Sequence, residues 1–286
     1  MLLAIDVGNT EVTIGVFDGD ELAKHWRAAT VADRTADEHA LMLEGFLAHE
    51  GLAFPGSLTG AIVSSVVPRL SQALREMVSR YCPFEPVLVE PGVRTGMSIL
   101  TDNPREVGAD RVVNAVAAYE RFGGPTVVVD FGTATTVDAI SARGELLGNA
   151  IAPGIQISMN ALAEHTAQLR RVELAKPRSV IGKNTVESLQ AGVVFGFAGQ
   201  VDGLVRRMRA ELGGEATVVA TGGLAGAVLE ACETVQHHEP WLTLYGLRMI
   251  FDRNAEAGAR SPEAREAARA SGDRAERARR GEGAAP

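Results

Sequence analysis

The sequence predicts an α/β protein made of two similar halves. Its most informative feature is a pattern that occurs at 2–10 and again at 126–136, in which an apolar run ends in Asp, one apolar residue and Gly, followed by small hydroxyl or amide residues. The apolar run is typical of a buried strand, and the glycine frees the backbone for a tight turn into a return strand. Further apolar runs alternate with segments of helical spacing in both halves. The duplicated hairpin and this alternation together favour one α/β unit in each half.

The first half contains the elements expected of such a unit. Its hairpin turns at Asp18-Gly19-Asp20, and a later apolar run stops at Pro68, where proline ends the hydrogen bonding of a strand. The predicted elements are strands over 2–5, 13–17, 22–26, 61–67 and 87–89, and helices with apolar residues spaced over 41–47, 70–77 and 112–119.

The second half repeats this plan. After the strand over 126–129 a hairpin turns at Ala142-Arg143-Gly144, and a long helical region follows Pro153-Gly154. The remaining predicted elements are a helix rich in small residues over 186–209, a strand over 216–220 that ends at Thr221-Gly222-Gly223, and a final helix over 242–254.

The end of the chain differs in composition from the rest. Beyond Phe251 there is no Val, Ile, Leu, Met or aromatic residue. Such a segment cannot bury a core, so we expect it to be disordered or at most a solvated helix. The predicted organisation is therefore an N-terminal domain over 1–118, a C-terminal domain over 119–254 and a tail over 255–286.

Composition and charge restrict the class of protein. The 286 residues are 46% hydrophobic and 22% charged, as in an ordinary soluble globular protein, and no run approaches the 18 or so apolar residues that a membrane span requires. The start, from Met1 to Asp6, lacks a basic segment and reaches a carboxylate too early for a signal peptide, so we expect a cytoplasmic protein with no membrane partner. Cys82 and Cys232 have neither metal-type spacing nor a disulfide pattern. The net charge of −8 argues against a nucleic-acid partner.

The turn after each Asp-x-Gly segment has the groups expected of a phosphate-binding loop. Backbone N–H groups and hydroxyls suit an anionic phosphate, and a carboxylate at the same turn suits the metal ion that accompanies it. For one copy alone, a plain hairpin with Asp-x-Gly at its tip is an equal alternative. Two copies in matching context favour a shared phosphate site between the halves.

Six segments in order carry a more specific resemblance. Two hairpins with Asp-x-Gly tips, followed by a strand that ends in Gly-Gly, resemble the superfamily of actin, sugar kinases, acetate kinase and the heat-shock ATPases, which hold ATP between two ribonuclease-H-like halves. The closer resemblance is to the type III pantothenate kinases, which phosphorylate pantothenate in the first step of coenzyme A synthesis. The segments are 6–10, 103–115, 130–136, 152–154, 181–185 and 220–225, and the resemblance spans residues 1 to about 254.

The resemblance implies an ATP site shared by both halves. The implied ATP-binding residues are Asp6, Val7, Gly8, Asn9, Thr10, Glu11, Val12, Thr13, Thr133, Gly222 and Gly223. Asp6 is placed to hold Mg²⁺ directly or through water, while the turn amides and the Thr13 hydroxyl can donate to phosphates. The family assigns Asp130 to a monovalent cation, usually potassium. For Gly222 and Gly223, a plain strand-to-helix turn is the alternative to close approach of adenosine.

The resemblance also implies a substrate site and a catalytic group. The implied pantothenate-binding residues are Gly108, Ala109, Asp110, Arg111 and Thr185, with Asp110 as the general base that accepts the proton of the substrate hydroxyl. The alternatives are a helix N-cap for Asp110, a surface salt bridge for Arg111 and a helix cap for Thr185. Arg111 suits either the substrate carboxylate or the transferred phosphoryl group.

The family further implies a homodimer whose substrate site uses both subunits. The small-residue stretch 191–199 favours close helix packing, either at that interface or inside one subunit. One departure from the family pattern is Thr101, where many members have a tyrosine that lines the pocket. The rival hypothesis is a non-catalytic ATP-binding accessory factor of the same fold, and retention of Asp6, Asp110, Arg111 and Asp130 argues against it.

Overall fold

The computed structural model describes residues 1–165 and 172–259. The strands are β1 (Leu2–Val7), β2 (Glu11–Asp18), β3 (Glu21–Ala29), β4 (Gly60–Ser65), β5 (Val87–Leu88), β6 (Ser98–Ile99), β7 (Thr126–Phe131), β8 (Ala134–Ile140), β9 (Glu145–Pro153), β10 (Thr217–Thr221) and β11 (His237–His238). The main helices are α1 (Ala36–His49), α2 (Pro68–Tyr81), α3 (Ala109–Phe122), α4 (Ile155–Glu164), α5 (Thr185–Glu211), α6 (Ala225–Val228) and α7 (Leu242–Ala259). Within these ranges, none of the helices combines the length and apolarity needed to cross a membrane.

These strands form two sheets with matching centres. The first sheet has the order β3-β2-β1-β4-β5 and the second β11-β10-β7-β8-β9-β6. In each sheet a central strand pairs antiparallel with its hairpin partner and parallel with a later strand, as β1 does with β2 and β4, and β7 does with β8 and β10. The register is also matched: Asp6 lies opposite Thr13 and Ser64, and Asp130 lies opposite Thr136 and Thr221. The predicted α/β fold with a duplicated hairpin is therefore confirmed.

The last helix packs against the first sheet. Leu244, Leu247 and Ile250 of α7 are fully buried in a cluster with α3 and one face of the first sheet. The sheet contributes Leu2, Ala4, Phe17 and Ile62 to this cluster. A Cβ on Gly246 would collide with the carbonyl oxygen of Val113, so the glycine allows α3 and α7 to cross closely. The predicted boundary between residues 118 and 119 falls within α3, and the domain division stays a prediction.

Two differences from the predicted elements have simple physical reasons. The final helix was expected to end at 254, but α7 continues to Ala259, because alanine and glutamate have a high intrinsic helix propensity. The rest of the predicted tail, 260–286, lies outside the described residues. The helical region after Gly154 is described as α4 only, because residues 166–171 are also outside. The two-residue strands β6 and β11 were missed, because so short a segment has no periodic signal.

Candidate active site

The two predicted phosphate loops lie against each other. The first connects β1 to β2 and the second connects β7 to β8, and the glycine in each, Gly8 or Gly132, donates a backbone hydrogen bond that closes the turn. The hydroxyl oxygens of Thr10 and Thr133 are 2.9 Å apart, within hydrogen-bond distance. Residues that are far apart in the sequence thus form one donor-rich surface between the two sheets.

Half-buried carboxylates lie beside these loops. Burial, followed by the charge of Asp110 and to a smaller extent that of Asp130, raises the pKa of Asp6 to about 8, and Ser64 offsets part of this rise. The Oδ1 atom of Asp6 is buried with no hydrogen-bond partner. Burial, then the charges of Asp110 and Asp138, raise the pKa of Asp130 to about 7. A cation bound at this site would therefore favour the ionised forms of these carboxylates.

Asp110 lies in the first turn of α3 and faces this group of carboxylates. Burial raises the pKa of Asp110, while the backbone N–H and the charge of Arg111 lower it. The N-cap alternative is wrong, because the N-cap of α3 is Gly108, and Asp110 Oδ1 instead accepts a hydrogen bond from the backbone nitrogen of Arg111 at 2.9 Å. A Cβ on Gly108 would collide with that same oxygen, so the glycine leaves room for the carboxylate.

Arg111 forms an ion pair with an aspartate that the sequence analysis missed. Its Nε and Nη2 atoms donate to Oδ1 of Asp138 at 2.8 and 2.7 Å. The side chains are 11% and 1% exposed, so the pair is buried and the surface salt-bridge alternative is wrong. The only signal in the sequence was an acidic residue in the middle of β8, whose neighbours are largely apolar.

The glycines that follow β10 lie against the second loop. Gly222 has a φ of 95°, and a Cβ there would be 2.5 Å from Asp130 Oδ1 and 2.6 Å from the backbone of Phe131. Only glycine combines this left-handed backbone with such close packing. A Cβ on the neighbouring Gly223 would lie 3.3 Å from the guanidinium of Arg27.

Arg27 comes from β3 and was not predicted. It lies opposite Thr13 on β2, forms a 3.4 Å ion pair with Glu11 and covers the ring of Trp241 at 4.8 Å. The edge of the first sheet thus meets the turn that contains Gly223 beside the two loops.

The other predicted site residues differ in how close they lie to the two loops and their aspartates. Val7 and Val12 are buried core residues next to the first loop, Thr13 is half-buried and Asn9 is exposed. Ala109 is the first residue of α3.

Thr185 is the first residue of α5 and is exposed. The cap of that helix is Asn184, whose side chain accepts a 2.9 Å hydrogen bond from the backbone of Glu187, so Thr185 is not the cap. In the described part of the chain, no hydrogen bond joins Thr185 to Asp110 or Arg111.

Solved structures of other proteins share this fold. The chain is similar to a Campylobacter jejuni protein described as a Baf family transcriptional activator, with a TM-score of 0.57, 20% identity, and coverage of 89% of this chain and 99% of the other. It is also similar to the activator of 2-hydroxyisocaproyl-CoA dehydratase from Clostridium difficile with bound ADPNP, with a TM-score of 0.54, 14% identity, and coverage of 91% and 97%. At these identities the likeness shows the fold alone.

Sequence relatives are much closer. A family model described as Type III pantothenate kinase matches residues 2–207. The chain is 56% identical over 261 residues to a type III pantothenate kinase of Streptomyces griseus, covering 89% of this chain and 98% of the relative. A relative of the same description from Thermobifida fusca is 56% identical over 258 residues, covering 89% and 100%. With its two loops, its acidic site and these matches over most of its length, the chain belongs to the type III pantothenate kinase family.

Proposed function

We propose that this protein transfers the γ-phosphoryl group of ATP to the primary hydroxyl of pantothenate, which is the first step of coenzyme A synthesis. Family membership supplies the reaction and the substrate. The observation that carries the proposal is the contact between Thr10 and Thr133, because it brings two donor-rich turns within reach of one phosphate chain. The use of ATP as phosphoryl donor also favours a cytoplasmic enzyme.

Asp110 is the general base in this proposal. The hydroxyl oxygen of pantothenate forms a bond to the γ-phosphorus while the bond from that phosphorus to the β–γ bridging oxygen breaks, and the hydroxyl proton passes to the Asp110 carboxylate. Burial raises the pKa of Asp110, so this carboxylate accepts a proton more readily than an exposed aspartate does. The products are phosphopantothenate and ADP.

The two loop aspartates are suited to the cations that accompany ATP. Asp6 has a buried, unpartnered oxygen at the first loop and would hold Mg²⁺ directly or through water. Asp130 at the second loop would hold a monovalent cation, for which we propose K⁺. Mg²⁺ usually binds through one or two carboxylates, phosphate oxygens and water, which fits one aspartate beside a phosphate chain. When bound, Mg²⁺ would neutralise charge on the phosphates.

Arg111 is the proposed anchor for the substrate carboxylate or the transferred phosphoryl group. Its Nε and Nη2 atoms are held by the buried carboxylate of Asp138, which fixes the plane of the guanidinium next to Asp110. A guanidinium whose plane is fixed loses little entropy when it binds an anion. Arg111→Lys replaces this guanidinium with a flexible ammonium group, so the substitution should raise KM for pantothenate.

We also propose a homodimer that completes the substrate site. On α5, Ala191, Val194 and Ala198 are buried, whereas a Cβ on Gly192, Gly196 or Gly199 would meet only open space. The exposed glycines recur at helical spacing and leave a flat strip against which a second helix can pack closely. Exposed apolar side chains lie just before and at the start of the same helix, namely Val180, Ile181 and Val186. This arrangement favours the interface over packing inside one subunit, and Thr185 would then reach the site of the partner subunit.

One turnover assay tests the central proposal. The purified protein is incubated with ATP and Mg²⁺, with and without pantothenate, while ADP release is followed and the product is identified by mass spectrometry. We expect ADP release that depends on pantothenate, together with phosphopantothenate. A protein that binds ATP but releases no ADP with pantothenate would instead be an accessory factor of the same fold. Sedimentation analysis of Gly196→Leu, with Gly45→Leu at an exposed position of α1 as control, tests the dimer separately.

A further inference from the structure

A chain of hydrogen bonds joins the second phosphate loop to the last helix. The side-chain amide of Asn114, on α3, donates from Nδ2 to Oδ2 of Asp130 at 3.0 Å. Its Oδ1 accepts a 2.7 Å hydrogen bond from the hydroxyl of Thr243, on α7. Asn114 is 1% exposed, so water does not compete for either contact. The three residues come from β7, α3 and α7, and no sequence motif had connected them.

The chemistry of these groups fixes the direction of both hydrogen bonds. The carbonyl oxygen of an asparagine side chain can only accept, so the Thr243 hydroxyl is the donor to it. The ionised carboxylate of Asp130 can only accept, so the NH₂ group of the amide faces Asp130 and its carbonyl oxygen faces Thr243. The Thr243 hydroxyl donates to that oxygen and holds the amide in this orientation, so Thr243 supports the contact between Asn114 and Asp130 from the other end of the amide.

The consequence for Asp130 is that its two oxygens have different roles. Oδ2 is held by Asn114, whereas Oδ1 lies towards the turn of Gly222, where an added Cβ would be 2.5 Å away. With one oxygen held, the carboxylate cannot rotate freely, and the other oxygen stays directed at the Gly222 turn and at Gly132 of the second loop. Side chains that orient a metal-binding carboxylate by hydrogen bonding commonly change metal affinity when they are mutated.

Asn114 also lies one helical turn after Asp110 on the same face of α3. The helix that carries the proposed base therefore carries the group that orients the proposed cation ligand. We propose that Asn114 and Thr243 are positioning residues that set the orientation of the Asp130 carboxylate and, through it, the affinity of the monovalent cation site. This inference rests on the role proposed above for Asp130.

A pair of substitutions at Thr243 tests this positioning role with little change in the shape of the side chain. Thr243→Val keeps the volume but removes the donor, and Thr243→Ser keeps the donor. We expect Thr243→Val to weaken cation binding by roughly 10- to 100-fold, the range found for groups that orient a metal ligand. Thr243→Ser should bind the cation as the unmodified protein does. Binding is measured directly with Tl⁺ as a potassium substitute, by thallium NMR in the presence of Mg²⁺ and a non-hydrolysable ATP analogue.

Kinetics provide the second measurement. Because only orientation is lost, kcat of Thr243→Val should recover at saturating K⁺, while the K⁺ concentration for half activation rises as the Tl⁺ affinity falls. A purely structural defect would lower kcat at every K⁺ concentration and would overturn the inference. Equal Tl⁺ affinities for Thr243→Val and Thr243→Ser would overturn it as well.

Asn114→Ala gives an independent variant, and Asp130→Asn separates the two proposals. Asn114→Ala removes the contact to Asp130 and should weaken Tl⁺ binding at least as much as Thr243→Val does. If Asp130→Asn keeps full Tl⁺ affinity, the assignment of the cation to Asp130 is wrong, and the inference falls with it. If Asp130→Asn loses Tl⁺ binding but Asn114→Ala and Thr243→Val do not, the site is correct and the positioning role is wrong. Neither result depends on whether pantothenate is the substrate.

Discussion

The two phosphate loops connect equivalent strands but differ in the groups that surround their aspartates. Asp6 and Asp130 each lie one residue before the end of their strand and face equivalent neighbours in register. Asp6, however, has a buried oxygen without a partner, whereas Asp130 is held by Asn114 from outside its own hairpin. The difference shows that a duplicated hairpin supplies two similar carboxylates, and that later helices then make their properties different.

The largest expected effect is at Asp110, whose charge raises the pKa of both loop aspartates. Asp110→Asn should lower kcat by roughly 10²- to 10⁴-fold, because the proton acceptor is lost. ATP binding should remain, since the loops are unchanged, and it can be measured by calorimetry. Asp18→Asn, at the exposed end of β2, is the control. Turnover of Asp110→Asn close to that of the control would remove Asp110 from its proposed role.

Substituting each loop aspartate in turn tests the comparison itself. Asp6→Asn should raise the Mg²⁺ concentration needed for half activation, and Asp130→Asn should raise that for K⁺, each by at least about 10-fold, because each variant loses a charged oxygen ligand. The other cation should show little change in each case. Both constants are obtained from initial rates at fixed ionic strength. If the two variants change both constants equally, the loops share one cation site and are not specialised.

The raised pKa values predict how the stability of the cation-free protein depends on pH. The folded-state pKa values of Asp6, about 8, and Asp130, about 7, lie above the ordinary value of 3.8, so between these values the folded protein binds more protons than the unfolded chain. The free energy of unfolding should therefore fall as pH rises through this range. Asp6→Asn should flatten the dependence more than Asp130→Asn does, because its pKa is raised further.

Thermal unfolding in EDTA and a tetramethylammonium buffer, between pH 6.5 and 8.5, measures this slope. This pH range avoids the titration of His39. Its two ring nitrogens are buried without hydrogen-bond partners, and burial lowers its pKa from 6.5 to about 4. Protonation of His39 would reduce stability only as pH falls below about 6.5. A Tm that rises with pH in the chosen range would contradict the predicted sign for the aspartates.

The smallest expected effect concerns the hydroxyls that meet between the loops. Thr10→Val and Thr133→Val each keep the shape of the side chain but remove one donor to the phosphates. Each should raise KM for ATP by about 5- to 10-fold, corresponding to one hydrogen bond of roughly 1 kcal/mol, with kcat nearly unchanged. Similar values for the two variants would show that the loops share the phosphate chain equally. No change in either would place the phosphates away from the Thr10–Thr133 contact.

The sequence predicted those parts of the site that depend on local pattern. Both hairpins, the loop residues and the position of Asp110 at the start of α3 follow from apolar periodicity and turn residues within short segments. Asp138, Asn114 and Thr243 were missed as partners, because each acts across a distance in sequence that no local pattern records. The surroundings of Thr185 could not be predicted from one chain either, because the proposed partner subunit determines what lies beside it.

The return of α7 to the first sheet has a consequence for synthesis of the protein. Leu2, Ala4, Phe17 and Ile62 are synthesised well before the residues of α7 that cover them, such as Leu247. Until α7 is synthesised, the nascent first half therefore has an uncovered apolar face, a state prone to aggregation or chaperone binding. A chain released before α7 is complete cannot cover that face. A stable first half is thus conditional on synthesis of the chain through α7.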